Sequence, residues 1–284
     1  MKRHLIAFDL DDTIVTKLVN LSDFTVSILN KVQEMGHVIM PATARPLHLV
    51  EWVVDRLHPS APVAMLNGSY LYDFDKNTDV HPPIFLTEDI VQYTWSYLCN
   101  EIGAENIYNV ICEQKDLIIT ADGEKDKFSK YTEHIKALTE HRHIKLTEKM
   151  EYLPFSRFTI FPKVEYADVI CDHLNEKYPD YLCRRVDWNG VAGAMNTRLY
   201  FAHRECNKWT AIKKAAKYLG IDEENIITFG DQWNDLQMLS ENKNGYALKG
   251  SYAERFANKV TEFTCKEDGV ARELMKIFNI TDTP

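Results

Sequence analysis

Four short segments carry side chains suited to a charged, oxygen-rich substrate. The first is Asp9-Leu10-Asp11-Asp12-Thr13. In an extended segment residues i and i+2 point the same way, so Asp9 and Asp11 would face one site together. Paired carboxylates repel unless a cation lies between them, and a hard, oxygen-seeking ion such as magnesium suits that role. Two carboxylates in different surroundings can also divide the work, one as nucleophile and one as acid and base. Alone, the acidic triplet reads about equally well as a polar loop after a strand.

The second segment is Pro41-Ala42-Thr43. A Thr43 hydroxyl at a strand end can hydrogen-bond a phosphoryl oxygen, or simply cap a helix ahead of Pro46. The third is Cys206-Asn207-Lys208-Trp209. Lys208 stands near a helix start, where the macrodipole disfavours it. In a site it would neutralise a phosphoryl group and a nucleophilic carboxylate, although most lysines are merely solvated. The fourth is Gly230-Asp231-Gln232-Trp233-Asn234-Asp235. Its glycine lets backbone approach closely. Asp231 and Asp235 can both reach a metal, and the same cluster also suits a helix N-cap.

The elements around these segments place three of them at strand ends. Leu5 to Phe8 reads as a buried strand, followed by a helix with Ser22 as N-cap, an apolar face of Ile28, Leu29, Val32 and Met35, and a stop at Gly36. Val38 to Met40 is a second strand, Leu47 to Leu57 a helix, and Val63 to Leu66 a third strand. A turn at Asn67-Gly68 leads to a hairpin partner over Ser69 to Tyr72. His81-Pro82-Pro83 makes a linker, because two prolines continue neither a helix nor a central strand. Beyond it come a helix from Thr87 to Ile102, strands at Tyr108 to Cys112 and Leu117 to Thr120, and a helix near Lys127 to Leu138. Then follow strand Phe158 to Phe161, helix Val164 to Tyr178 and strand Tyr181 to Val186. Near Leu199 to Phe201 the chain is expected to return to the first unit. Helix Lys208 to Leu219, strand Ile226 to Phe229 and a last helix, Gly269 to Phe278 with Asp268 as N-cap, complete it. Strands alternating with helices predict an α/β sheet, and ligands of an open parallel sheet bind beyond the carboxyl ends of its strands.

Composition narrows the classes. With 284 residues, 45% of them hydrophobic, the chain can build one large or two medium domains. A net charge of −9 argues against general nucleic-acid binding but not against an anionic substrate in a locally positive pocket. The apolar run after Met1-Lys2-Arg3-His4 ends at Asp9, too short for a signal peptide or a membrane span, so a cytoplasmic protein without a membrane partner is expected. The six cysteines form no C-x-x-C pair and read as reduced thiols.

Taken together and in this order, the four segments resemble the haloacid dehalogenase superfamily of phosphohydrolases. The chain looks like its Cof-type branch, which places a large α/β cap between the second and third motifs. The likeness covers Leu5 to Leu71 and Arg198 to the end, including the tail Glu267-Asp268-Gly269-Val270-Ala271. It implies a doubly wound, mostly parallel α/β core, residues 1–82 and 197–284, with an inserted α/β cap over 83–196. It implies that Asp9 attacks phosphorus to form an aspartyl-phosphate, and that Asp11 protonates the leaving oxygen and then activates water. Thr43 and Lys208 would hold the phosphoryl group, with Ala44 and Arg45 as further substrate-binding positions and Asn234 in contact with it. Magnesium would be bound by Asp9, the main-chain carbonyl of Asp11, and Asp231, with Asp235 in support. The partner would be a small phosphorylated metabolite. Ala44 stands where the family usually has glycine, and Trp209 and Trp233 where small residues are usual; packing in the core is the simpler account of both tryptophans. Two other activities fit the same residues: a phosphotransferase such as a sugar phosphomutase, and a non-catalytic metabolite-binding protein.

Overall fold

Leu5-Ile6-Ala7-Phe8 has no polar side chain, and such a run is stable as a strand only when covered on both faces. It forms β1 (Leu5–Phe8), and all four residues are fully buried. The structure is a computed structural model that describes residues 2–122, 140–146, 150, 153–187 and 197–281. After β1 a small hairpin, β2 (Val15–Thr16) and β3 (Asn20–Leu21), leads to α1 (Asp23–Glu34). The Ser22 hydroxyl caps α1 by accepting from Thr25 N at 3.0 Å, and Thr25, Ile28, Leu29 and Val32 form its buried stripe. Gly36, at φ 89°, follows the helix in the left-handed region that glycine tolerates.

β4 (Val38–Pro41) comes next. The expected helix from Leu47 is shorter. Leu47–Leu49 is a 3₁₀ turn, and hydrogen bonding restarts at the Val50 carbonyl to give α2 (Glu51–Leu57). β5 (Val63–Met65), β6 (Tyr70–Asp73) and β7 (Thr78–Asp79) form an antiparallel sheet around the Asn67-Gly68 turn.

The chain divides into two compact units, one of Met1–Arg45, Val50–Pro83 and Cys206–Pro284, the other of Pro46–Leu49 and Ile84–Glu205. The second unit opens with α3 (Glu88–Tyr97), which loosens into a π turn over Leu98–Gly103 where a continuous α-helix was expected. β8 (Ile107–Glu113), β9 (Leu117–Asp122), β10 (Glu140–Lys145), β11 (Arg157–Pro162), α4 (Ala167–Lys177), β12 (Tyr181–Asp187) and β13 (Thr197–His203) follow. The helix expected near Lys127 to Leu138 lies outside the described residues. The strands form one sheet in the order β10-β9-β8-β11-β13-β12. Leu199 to Phe201 therefore does not begin the return to the first unit: β13 pairs with both β11 and β12 in the interior of this sheet, and the crossing comes at Cys206. The physical reason is that an alternating apolar strand is satisfied by any sheet face, so its pattern does not say which sheet it joins.

The last stretch supplies α5 (Lys208–Leu219), β14 (Ile226–Gly230), α6 (Leu236–Ser240), β15 (Gly245–Ala247), β16 (Lys259–Val260) and α7 (Gly269–Phe278). The main sheet of the first unit has the order β16-β15-β14-β1-β4, and every pair is parallel. Trp209 packs in its core with Ala211, Ile212 and Met238, as the simpler account of this tryptophan had it. Asp268 is not a side-chain cap of α7. At φ 59° its backbone is left-handed, and its carboxylate instead accepts from the Ser22 and Thr25 hydroxyls at the start of α1.

Candidate active site

Parallel register brings the separate segments to one edge. Phe8 lies level with Pro41 on one side and Phe229 on the other. Asp9, Thr43 and Asp231 consequently leave the sheet together, tied by Asp9 N donating to Phe229 O at 3.0 Å and Ala42 N to Phe8 O at 2.8 Å.

Lys208 joins them from the first turn of α5. Asn207 caps this helix, accepting from Thr210 N at 2.8 Å. Gly68, at φ 93°, lets the neighbouring turn close on the helix start, since a Cβ there would lie 2.7 Å from the Asn207 carbonyl oxygen. The Lys208 side chain has no exposed surface, and its Nζ lies 2.6 Å from both Asp9 Oδ1 and Asp235 Oδ1. Asp235 is itself anchored, its Oδ2 accepting from the main-chain N–H of Asp231 at 2.9 Å and of Gln232 at 3.0 Å. This carboxylate folds back over Gly230, where a Cβ would come within 2.5 Å of Asp235 Cγ. Gln232 is the N-cap of the 3₁₀ turn Trp233–Asp235, with Asp235 closing the capping box, and Asp235 in turn stands at the N-cap position of α6, without a side-chain cap bond to it.

The charges do not balance locally. Oxygens of Asp9, Asp231 and Asp235 all lie within 4.8 Å of one another, and among these three buried carboxylates the ammonium of Lys208 contacts two. Burial, with help from Asp235 and Asp11 against the pull of Lys208, pushes the Asp9 carboxyl up to about 7. Burial and the charges of Asp9 and Asp235 push Asp231 up to about 9. Burial alone would lower the Lys208 ammonium, but Asp235 and Asp9 hold it above its ordinary value. Carboxylates crowded in this way are relieved by a divalent cation with oxygen ligands, so the site fits magnesium on donor type, number and spacing.

The remaining expected residues surround this cluster. Asp11 is half-buried, and its carboxylate takes both arms of Arg45, with Nε at 2.9 Å and Nη2 at 2.6 Å. Arg45 Nη2 also donates to the Leu18 carbonyl at 2.6 Å. The buried Thr43 hydroxyl accepts from Arg45 N at 3.1 Å, while Thr43 N donates to Ala64 O at 2.8 Å. Ala44 keeps a negative φ, so the missing glycine imposes no strain. Asn234 is half-buried, and its Nδ2 donates to Asn67 Oδ1 at 3.3 Å. Two participants had no assigned role in the sequence reading. Thr13, quoted within the first segment, donates to Asp231 Oδ1 at 3.1 Å, and Asn67, expected in a turn of the kind the resembling branch often has near its site, supports Asn234. Proximity to the motif was the available signal for Thr13; for Asn67 it was the turn's need for positive φ next to a strand end.

A sequence profile described as haloacid dehalogenase-like hydrolase matches residues 6–274. The chain is 24% identical over 290 residues to the 5-amino-6-(5-phospho-D-ribitylamino)uracil phosphatase YitU of Bacillus subtilis (strain 168), covering 98% of this chain and 99% of that one. Among solved structures, a phosphatase of the haloalkanoate (HAD) superfamily from Bacteroides thetaiotaomicron superposes with a TM-score of 0.76 at 18% identity, covering 98% and 96% of the two chains. A HAD subclass IIB sugar phosphatase does so with a TM-score of 0.75 at 19% identity, covering 98% and 99%. These likenesses in fold agree with the parallel sheet described above, and the profile spans nearly the whole chain, which therefore belongs to the haloacid dehalogenase-like hydrolase family.

Proposed function

We propose that the chain is a magnesium-dependent phosphatase that hydrolyses a small phosphomonoester through an aspartyl-phosphate on Asp9. The observation that carries this reading is the fully buried Lys208 bridging Asp9 and Asp235 at the carboxyl edge of the sheet. A lysine sunk among acids at a helix start costs folding energy and makes sense where negative charge must be gathered.

In this mechanism a carboxylate oxygen of Asp9 attacks phosphorus and the bond to the leaving oxygen breaks. Asp11 gives that oxygen a proton, then takes one from the water that attacks the phosphorylated Asp9, releasing phosphate. To reach the leaving oxygen, Asp11 must swing out of its pair with Arg45. Lys208 keeps the nucleophile oriented and offsets charge as phosphoryl oxygens approach, with Thr43 and Asn234 offering further donors. Asp9, Asp231 and the Asp11 main-chain carbonyl would hold magnesium, with Asp235 behind them, and the ion supplies charge neutralisation for the phosphoryl group.

Named phosphatases among the relatives act on a phosphorylated ribitylaminouracil, which supports a sugar phosphate or related metabolite as substrate class. Phosphate release from a panel of such esters, with and without magnesium, tests the reading. Interconversion of two sugar phosphates without phosphate release would instead establish the phosphotransferase, and no turnover on any ester would sink both.

A further inference from the structure

All six cysteines are free thiols, but two of them meet inside the second unit. Cys171 on α4 and Cys183 on β12 have their sulfurs 3.2 Å apart. Both are buried, with 7% and 3% of their surface exposed. Clamps on either side fix the register of the two elements. One turn beyond Cys171, the Asn175 amide serves both main-chain groups of Cys183, donating to its carbonyl at 2.9 Å and accepting from its N–H at 2.8 Å. Nearly one turn before it, Asp168 accepts from Arg185 Nη1 at 2.8 Å. β12 is an edge strand of its sheet, so the helix closes an edge that would otherwise present open main-chain groups.

We propose that Cys171 and Cys183 are a redox modification site, forming a reversible disulfide with a small peroxide as oxidant and stapling α4 to β12. Disulfide sulfurs sit about 2.0 Å apart, so thiols already in contact and held in register need only approach by about 1 Å. Cys171 reacts first. Its hydrogen bond with Cys183 holds its thiol below the ordinary value, whereas burial pushes Cys99, Cys112 and Cys265 up. The Cys171 sulfur attacks a peroxide oxygen, the O–O bond breaks, and the departing hydroxide leaves as water with the thiol proton. The resulting sulfenic acid is attacked by the Cys183 sulfur. The S–S bond forms, the S–O bond breaks, and the second hydroxide leaves as water with the Cys183 proton. Two thiols thus lose two electrons and one peroxide becomes two waters, and a reducing dithiol reverses the bond by exchange.

The test treats the full chain with hydrogen peroxide, then counts thiols after denaturation and maps its peptides. Six thiols should fall to four, with the Cys171 and Cys183 peptides joined. The melting temperature should rise by roughly 5 °C and return on adding dithiothreitol. Cys171→Ser should abolish the thiol loss, the link and the melting shift, and Cys183→Ala should abolish the link and the melting shift. A different linked pair, two thiols still lost in Cys171→Ser, or Cys171 recovered as sulfinic acid with Cys183 free would each overturn the proposal. Where a variant fails to fold, the wild-type peptide map decides, and absence of the Cys171–Cys183 link overturns it.

Discussion

Each unit contains a buried ion pair, and the two are built on opposite principles. In the second unit, Arg157 and Glu113 face each other across β11 and β8, and both arms of the guanidinium engage the carboxylate, Nε to Oε2 and Nη2 to Oε1 at 2.9 Å. In this pair a guanidinium is matched by a carboxylate, and both are largely buried. In the first unit, Lys208 meets two carboxylates of an acidic group of three. A balanced pair offsets its own desolvation and holds strands in register. In the unbalanced cluster burial, and after it the neighbouring carboxylates, push the Asp9 and Asp231 carboxyls up to about 7 and about 9. That difference separates a cluster whose spacing suits a cation, as the proposed function requires, from a pair that is satisfied by itself.

The sharpest way to break this contrast is Asp9→Asn. Turnover of a phosphate ester should fall by on the order of 10⁴-fold or more, while circular dichroism stays native and the metal-free protein melts no lower. Unchanged turnover would remove the nucleophile from the proposal. Next come the cations themselves. Lys208→Met strands Asp9 and Asp235, and Arg157→Met strands Glu113; each should lose about 3–5 kcal/mol in chemical denaturation. Adding Glu113→Leu should recover most of that loss in the second unit. Adding Asp9→Asn to Lys208→Met should recover some stability yet no activity, as the proposed role of Asp9 as nucleophile requires.

A smaller effect concerns pH. Asp9 and Asp231 hold their protons more tightly folded than unfolded, since both lie above the ordinary 3.8. Without metal, their contribution is full below about pH 4 and is lost as pH rises through about 7 for Asp9 and about 9 for Asp231. Magnesium bound at the cluster would displace those protons, so its effect on melting temperature should be larger at pH 8 than at pH 6, and an equal shift at both would contradict the proposed site. The smallest effect is the control. The Lys2–Glu224 pair at 2.6 Å is open to solvent, and Lys2→Ala should leave the melting temperature unchanged within error.

Much of the frame was legible before any coordinates. Leu5 to Phe8 and Ile226 to Phe229 could be strands because short runs so rich in apolar and β-branched residues have little else to become, and the acids beyond their ends marked the edge. Ser22 and Gly36 bounded α1 through backbone chemistry that operates within a few residues. Errors arose where a residue's role depended on distant partners. Asp268 had the type of an N-cap but not the backbone angles, and its carboxylate serves α1. Thr197 to His203 had a strand's pattern with nothing to name its sheet. The bidentate contact of Arg45 with Asp11 likewise could not be read from either segment alone.

By itself, the order of residues determined which groups this protein has for chemistry and the local elements that carry them, because propensity, caps and alternation act over one or two turns. Tertiary structure alone decided that Lys208 would lie 2.6 Å from an aspartate 199 positions earlier, that Asp11 would rest on Arg45, and that Cys171 would touch Cys183. Such contacts depend on strand register and on which side chains share a desolvated space, and those are properties of the assembled sheet rather than of any segment within it.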